Sequence, residues 1–184
     1  MSIYIIAQLI GFVGYLFYIS APHKKTRLHI IQMEAIACSF LCIQWFLLGQ
    51  SSLIALNMLV VLISITATLA ENKTKIRAFM PALYPIGISV LLLNANGTII
   101  DALAIIALCC QIKSKSSSNA VHFRGFAAMA SSTLIVSSTF ALSIPAIMFN
   151  ALYAIGHLQH IPNASYMQIR KKLVTSLQTN FSTQ

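Results

Sequence analysis

Two asparagines lie in hydrophobic segments where an unpaired amide would be costly. Asn57 stands in the segment LIALNML, and Asn150 stands 93 residues later in the segment AIMFNAL. An amide buried in hydrocarbon needs a hydrogen-bond partner, because water cannot supply one there. That partner could be a polar ligand, to which an amide offers two donors and an acceptor. The alternative is a neighbouring helix, where such a bond contributes about 0.6–2 kcal/mol.

Two carboxylates also lie within apolar segments, Glu34 and Asp101. An acid at membrane depth faces a cavity or a partner. Asp101 could line the mouth of a pathway or lie at the membrane interface. Glu34 could pair with His29 or a nearby lysine, or carry a coupling proton. Gln8 lies 93 residues before Asp101, so the two could form an outer gate, with structural hydrogen bonding as the alternative.

The remaining reactive residues do not indicate catalysis. The four cysteines lie in apolar runs without a C-x-x-C pair, which is typical of small buried side chains. His157 and His160 are one turn apart, but no further ligands follow, so we interpret them as interfacial side chains. The motifs H-E-x-x-H and G-x-S-x-G and a phosphate loop are absent. We therefore predict no enzyme activity, no cofactor and no metal.

The composition is that of an integral membrane protein. Of the 184 residues, 58% are hydrophobic and 8% are charged, whereas soluble domains carry about 25% charged residues. A membrane-spanning helix needs roughly 20 largely apolar residues. Apolar runs separated by short polar breaks predict seven such helices, over residues 3–20, 28–48, 52–70, 77–94, 98–112, 121–140 and 143–160.

The basic residues lie in alternate connections between these helices. All twelve Lys and Arg fall in His23–Arg27, Glu71–Arg77, Lys113–Arg124 and the C-terminal tail. With seven helices these segments share one side of the membrane, which the positive-inside rule identifies as the cytoplasm. The N-terminus is then outside and the C-terminus inside. The net charge of +9 therefore reflects topology, and we predict no binding to nucleic acid.

The chain carries a weak internal repeat at a spacing of 93 residues. This spacing places Asn57 on Asn150 and Gln8 on Asp101, and it places helices 1–3 on helices 5–7. Helix 4 restores the orientation of the second copy, so the two units are parallel and related by an axis along the membrane normal. If both asparagines face that axis, their amides lie on opposite walls of one cavity.

The repeat predicts an all-α transmembrane fold of two three-helix bundles joined by a linker helix, a 3+1+3 arrangement. The expected divisions are a first bundle over 1–70, the linker helix within 71–97, a second bundle over 98–160 and a cytoplasmic tail over 161–184.

This layout resembles that of the SWEET sugar transporters and their half-sized bacterial relatives, and the PnuC vitamin transporters share it. In detail the chain resembles the YgjV family of bacterial inner-membrane proteins, through the segments AQLIGFVGYLFYIS, FLLGQSSLIALNML and ALCCQ and the overall length. The resemblance covers nearly the whole chain. It implies a multi-pass protein of the bacterial inner membrane.

In SWEET-like proteins paired asparagines bind substrate hydroxyls, often assisted by an aromatic residue of helix 2 or 6. By this resemblance Asn57 and Asn150 bind substrate. Trp45, whose repeat partner is Ser138, stacks on the solute or anchors the interface. The predicted function is transport or facilitation of a small polar solute by alternating access, with the solute and the lipid bilayer as partners. A non-transporting scaffold or receptor is the alternative. The sequence is compatible with a monomer and with a homo-oligomer.

Overall fold

The protein is described by a computed structural model that covers residues 2–71, 78–140 and 144–161. These residues form seven α-helices and no strand. Two 3₁₀ turns, Ala21–His23 and Met80–Ala82, precede α2 and α4. Most of the basic connection Glu71–Arg77 and the tail beyond Ile161 lie outside the described residues. The helices are α1 (Ile3–Ser20), α2 (Arg27–Leu47), α3 (Ser51–Ala70), α4 (Leu83–Leu93), α5 (Ile99–Ser116), α6 (Ala120–Phe140) and α7 (Ile144–Gln159).

Two of the predicted helix boundaries are wrong. The sequence predicts that the fifth helix ends at residue 112, whereas α5 continues to Ser116, so Lys115 belongs to a helix and not to a loop. The helix predicted over 77–94 is divided, because a 3₁₀ turn containing Pro81 precedes α4. Proline has no N–H and its ring crowds the preceding turn, so the regular α-helix begins after it.

Polar caps and two glycines fix the ends of several helices. Thr26 Oγ1 accepts a 3.3 Å hydrogen bond from the His29 N–H and caps the start of α2. Gly49 and Gly97 have positive φ angles of 69° and 74°. Glycine adopts this conformation without a steric penalty, so α2 turns into α3 within three residues.

Helices that follow one another in the chain form the main interfaces. In the first half α1 packs on α2 and α2 on α3, and in the second half α5 packs on α6 and α6 on α7. The first three helices meet the last three along two edges, α1 against α7 and α3 against α5. Helix α4 packs against α3 and α5. The two groups of three helices therefore face each other across a shared interior.

A close approach of α1 to α2 occurs at Gly14. A Cβ atom at this position would lie 2.9 Å from Phe40 Cβ and 3.1 Å from the Ala37 carbonyl oxygen. These distances are shorter than ordinary contacts, so the glycine is needed for the packing of the two helices.

Gly14→Val is expected to lower the free energy of unfolding by about 1–3 kcal/mol, because the added atoms force the two helices apart. Gly125→Ala is the control, since a Cβ atom there meets nothing within 4 Å. It should be neutral or stabilising by up to about 1 kcal/mol. Thermal unfolding of the purified proteins in detergent measures both changes, and equal effects of the two substitutions would contradict this packing.

The outward faces of the helices are strongly apolar. Phe46, Met58 and Leu93 expose 72%, 61% and 85% of their surface. By length and composition, three segments among the described residues are long and apolar enough to cross a membrane: Ile3–His23, Arg27–Leu47 and Ser51–Ala70. The segment Met80–Leu93 is a shorter apolar helix. A surface of this kind is suited to lipid rather than to water.

Candidate functional site

A cavity lies between the first three helices and the last three. Its volume is about 60 Å³, and α1, α2, α3, α5, α6 and α7 all contribute to its wall. One water molecule needs about 10–15 Å³ on this measure, so the cavity holds only a few waters. Pockets for drug-sized ligands have roughly 300–1,000 Å³. A solute as large as a sugar therefore requires the helices to move apart.

Both predicted asparagines line this cavity. Asn57 is half-buried on α3, and Asn150 is buried on α7. The Nδ2 of each donates a 2.8 Å hydrogen bond to the carbonyl oxygen four residues earlier, at Leu53 and Ala146 respectively. Neither amide forms another hydrogen bond within the described part of the chain. Each amide therefore keeps its Oδ1 acceptor and a second N–H donor for a solute or for water.

Trp45 lines the same cavity from α2. It is half-buried and packs in a small hydrophobic cluster with Tyr15 of α1 and Ala146 of α7. Tyr15 stacks on Phe149 with a centroid distance of 4.7 Å and an interplanar angle of 5°. Aromatic rings from α1 and α2 thus form a largely apolar part of the wall that the two amides also line.

Asp101 lies outside the cavity wall, at the N-terminus of α5. Its Oδ2 accepts hydrogen bonds from the Thr98 N–H at 2.8 Å, the Thr98 hydroxyl at 2.9 Å and the Asn96 N–H at 3.0 Å. Its Oδ1 accepts one from the Ser52 hydroxyl at 2.8 Å. Asp101 therefore caps α5 and ties it to α3. Gln8 is half-buried on α1, away from the cavity wall, and no hydrogen bond within the described residues joins it to Asp101.

Asp101→Asn is expected to lower the free energy of unfolding by about 1–2 kcal/mol, because an amide cannot accept all four hydrogen bonds of the carboxylate. Ser52→Ala removes the link to α3 but leaves the cap of α5 intact, so it should cost less. Thermal unfolding in detergent compares the two. A larger loss from Ser52→Ala would contradict the capping role of Asp101.

A charged cluster of Glu34, Lys115, Tyr153 and His157 lies buried beside the cavity. Lys115 Nζ is 2.7 Å from Glu34 Oε2, and His157 Nε2 is 3.7 Å from Glu34 Oε1. The Tyr153 hydroxyl donates a hydrogen bond to the same Oε1. The side chains of Glu34, Lys115 and His157 are at most 2% exposed. Because α2 supplies the acid and α5 and α7 supply its partners, the cluster joins the two groups of helices.

The charged cluster reaches the cavity wall through two side chains. Lys115 Nζ donates a 2.6 Å hydrogen bond to Gln111 Oε1. The Tyr153 ring stacks on Tyr18 with a centroid distance of 3.9 Å. Gln111 and Tyr18 both line the cavity. One hydrogen bond and one ring stack therefore connect the buried ion pair to the space where a solute would bind.

Two arginines link the helix groups at the end where the basic residues lie, here called the basic end. Arg27 Nη2 donates a 2.5 Å hydrogen bond to the carbonyl oxygen of Lys115, and its Nη1 lies 2.5 Å from Glu71 Oε2. Arg124 Nη1 donates a 3.0 Å hydrogen bond to the carbonyl oxygen of Pro22. Each arginine thus bridges from one group of three helices to the other.

The chain matches a known protein family over most of its length. The family model Imp-YgjV, described as a bacterial inner membrane protein, matches residues 5–164. The chain belongs to the Imp-YgjV family. The resemblance to YgjV proteins predicted from the sequence is confirmed, and the protein is a bacterial inner membrane protein. The same comparisons matched no curated protein and no solved structure.

The burial of Lys115 is the main feature of this Imp-YgjV family member that the sequence did not reveal. The segment SKSSSN (Ser114–Asn119) is typical of a flexible linker and predicts a loop. A signal is nevertheless present, because Gln111 and Lys115 are four residues apart. They continue the buried face of α5 that Ala104 and Leu108 begin.

The predicted interfacial position of His157 is wrong, since its side chain is fully buried in the charged cluster. His160, for which the same position was predicted, is exposed at the end of α7. Of the partners considered for Glu34, a lysine is the one found, and it is Lys115. His29 is exposed on the first turn of α2 and does not reach the acid.

The described residues contain no group of three or more His, Cys, Asp or Glu side chains that could hold a metal ion. The four cysteines are free thiols. The polar chemistry of the site therefore rests on the amides and hydroxyls of the cavity wall and on the charged cluster beside it.

Proposed function

We propose that this inner membrane protein transports or facilitates the passage of a small, neutral, polar solute by alternating access. The observation that carries the proposal is that Asn57 and Asn150, from α3 and α7, line one cavity built by six helices. Each amide has a donor and an acceptor free of partners in the described chain, as recognition of a hydroxyl or amide requires. Among the residues that the structure describes, no charged side chain lines the cavity, which favours a neutral solute.

The residues of the cavity wall support a two-fold repeat. Five pairs at the 93-residue spacing belong to it: Tyr18 with Gln111, Leu41 with Leu134, Trp45 with Ser138, Leu53 with Ala146, and Asn57 with Asn150. An axis along the membrane normal would place the members of each pair on opposite walls. The same axis would exchange the α1–α7 interface with the α3–α5 interface, and both interfaces are present.

We infer from this the 3+1+3 arrangement, with bundles over 1–70 and 98–160 joined by α4 within 71–97. All seven helices would cross the membrane. The basic end, with Arg27, Lys115 and Arg124, would face the cytoplasm under the positive-inside rule, together with the tail over 161–184. The end that carries Ser52 and Asp101 would then face outward.

Alternating access would break the contacts at the two ends in turn. We assign the outer gate to the hydrogen bond between Ser52 and Asp101, so the partner of Asp101 is Ser52 and not Gln8. The cytoplasmic gate would comprise the pair of Glu34 and Lys115 and the two arginine bridges. An occluded state of such a transporter would have contacts at both ends and a small cavity, and both features are present here. Trp45 would stack on the solute beside the asparagines.

A thermal-stability screen of the purified protein against sugars, nucleosides, vitamins and amino acids tests the proposal. A solute present at 100 times its Kd adds about 2.7 kcal/mol to the free energy of unfolding and raises the Tm. The double variant Asn57→Leu/Asn150→Leu should lose this rise. Thr139→Val is the matched control, because the Thr139 hydroxyl also bonds to its own helix, at 2.9 Å, but is exposed outside the cavity.

A rise in Tm shared by the wild type and the Thr139→Val control, but not by the double variant, would identify the solute class. An equal rise in the double variant would contradict the assignment of the asparagines. No rise with any solute would favour the non-transporting scaffold instead.

A further inference from the structure

Within the described part of the chain, His157 is a buried histidine whose ring nitrogens have no partner. Its side chain is 0% exposed, and neither Nδ1 nor Nε2 forms a hydrogen bond within the described residues. The nearest carboxylate oxygen is Glu34 Oε1, 3.7 Å from Nε2 and beyond hydrogen-bond distance. Buried polar atoms nearly always have a partner, so an imidazole held in this way requires a specific explanation.

The charges around His157 leave it without an acid of its own. Glu34 of α2 already has Lys115 of α5 at 2.7 Å. Arg124 of α6 adds a further positive charge near the ring. A proton on His157 would therefore give the closed cluster a net positive charge in a low-dielectric interior, which is unfavourable. The histidine is accordingly neutral in the occluded state.

The other titratable groups around this histidine carry no compensating negative charge. Tyr153, one turn earlier on α7, is hydrogen-bonded to the acid of the cluster and stacks on Tyr18 of α1. His23, in the turn after α1, meets the ring of His160 with a centroid distance of 5.2 Å. The acid of α2 is thus the only negative group among the described residues that reaches the cluster.

The charged cluster also lacks a counterpart in the other half of the repeat. The positions 93 residues from its charged members and its histidine hold Ala127, Pro22 and Ser64. The cavity wall, in contrast, is built largely from repeat-related pairs. The charged cluster is therefore not part of the repeat-related wall that would bind the solute.

We propose that the charged cluster is a proton-binding site with His157 as the acceptor, and that proton binding opens the basic end of the protein. The inference rests on the proposed alternating access. Opening would separate α2 from α5 and α7 and admit water, so Lys115 becomes hydrated. A proton taken from the cytoplasm then makes His157 an imidazolium, whose charge the admitted water hydrates.

The expected size of the effect follows from linkage. An imidazole in water has a pKa of about 6.5. If the open state binds this proton and the occluded state does not, acid favours the open state. Lowering the pH from about 7.5 to about 5.5 then raises the ratio of open to occluded protein about tenfold.

The test uses acrylamide quenching of Trp45, the single tryptophan of the chain, which lines the cavity. The wild-type protein in liposomes is compared at pH 7.5 and 5.5, values chosen to bracket about pH 6.5. The quenching constant should rise several-fold at the lower pH. His157→Gln should abolish the rise. His160→Gln is the matched control, because this exposed histidine lies one turn further along the same helix end, and it should respond like the wild type.

An equal rise in His157→Gln, or no rise in the wild type, would overturn the inference. If His157→Gln does not fold, His157→Asn replaces it, because the shorter amide needs less room. The outcome of the thermal-stability screen does not depend on the outcome of the quenching experiment. A protein that binds a solute but shows no pH response would lose only the proton site. A pH response without any bound solute would support the proton site and contradict transport of the solutes tested.

Discussion

Lys115→Met is expected to lower the free energy of unfolding by about 3–5 kcal/mol. The ammonium group lies 2.7 Å from Glu34 Oε2, and neither side chain is more than 2% exposed. Removing the lysine leaves a carboxylate buried without a counter-charge, which is far more costly than losing a surface ion pair. Thermal unfolding of the purified protein in detergent should show a large fall in Tm.

Two further variants separate the ion pair from lysine loss in general. Glu34→Gln combined with Lys115→Met should recover most of the stability, because a neutral pair of similar size needs no counter-charge. Lys113→Met, two residues earlier on the same helix but at an exposed position, should change the free energy by less than about 0.5 kcal/mol. Equal losses from the two lysine substitutions would contradict the burial of Lys115.

Asn57→Leu and Asn150→Leu, each alone, are expected to weaken solute binding about 10–100-fold. Each removes an acceptor and a donor from a desolvated site, and leaving a buried polar group of the solute unpaired costs about 1–3 kcal/mol. Calorimetric titration with a solute found in the thermal screen measures the loss. Because both amides would contact one solute, the double variant should lose less than the sum of the two single losses.

Two observations distinguish a loss of solute binding from a loss of folding. Each asparagine already bonds to its own helix at Leu53 or Ala146, so its loss should affect the solute more than the fold. Thr139→Val removes a similar bond outside the cavity and should leave the Kd unchanged. Unchanged affinity in both single asparagine variants would return these residues to a purely structural role.

Much of the helix pattern could be predicted from the sequence. Apolar run length and polar breaks act locally, so all seven helices were predicted, with most boundaries within one residue. The placement of Asn57 and Asn150 beside one cavity could also be anticipated from their spacing and from the resemblance. The cavity itself could not, because its volume depends on how six helices pack.

The charged cluster shows where sequence reasoning stops. The polar segment around Lys115 is compatible with either a loop or a helix end. The choice depends on an acid, Glu34, that lies on a distant part of the chain. The capping role of Asp101 is easier to predict from the sequence. Thr98 and Asp101 form a T-x-x-D pattern, which is a local capping signal.

Solute uptake tests the central claim most directly. Liposomes containing the wild-type protein would be compared with liposomes containing Asn57→Leu/Asn150→Leu, using the radiolabelled form of the solute that raises the Tm. We expect saturable uptake by the wild type and uptake no greater than that of empty liposomes by the double variant. A solute that binds and stabilises the wild type but is not taken up would contradict transport and identify the protein as a receptor.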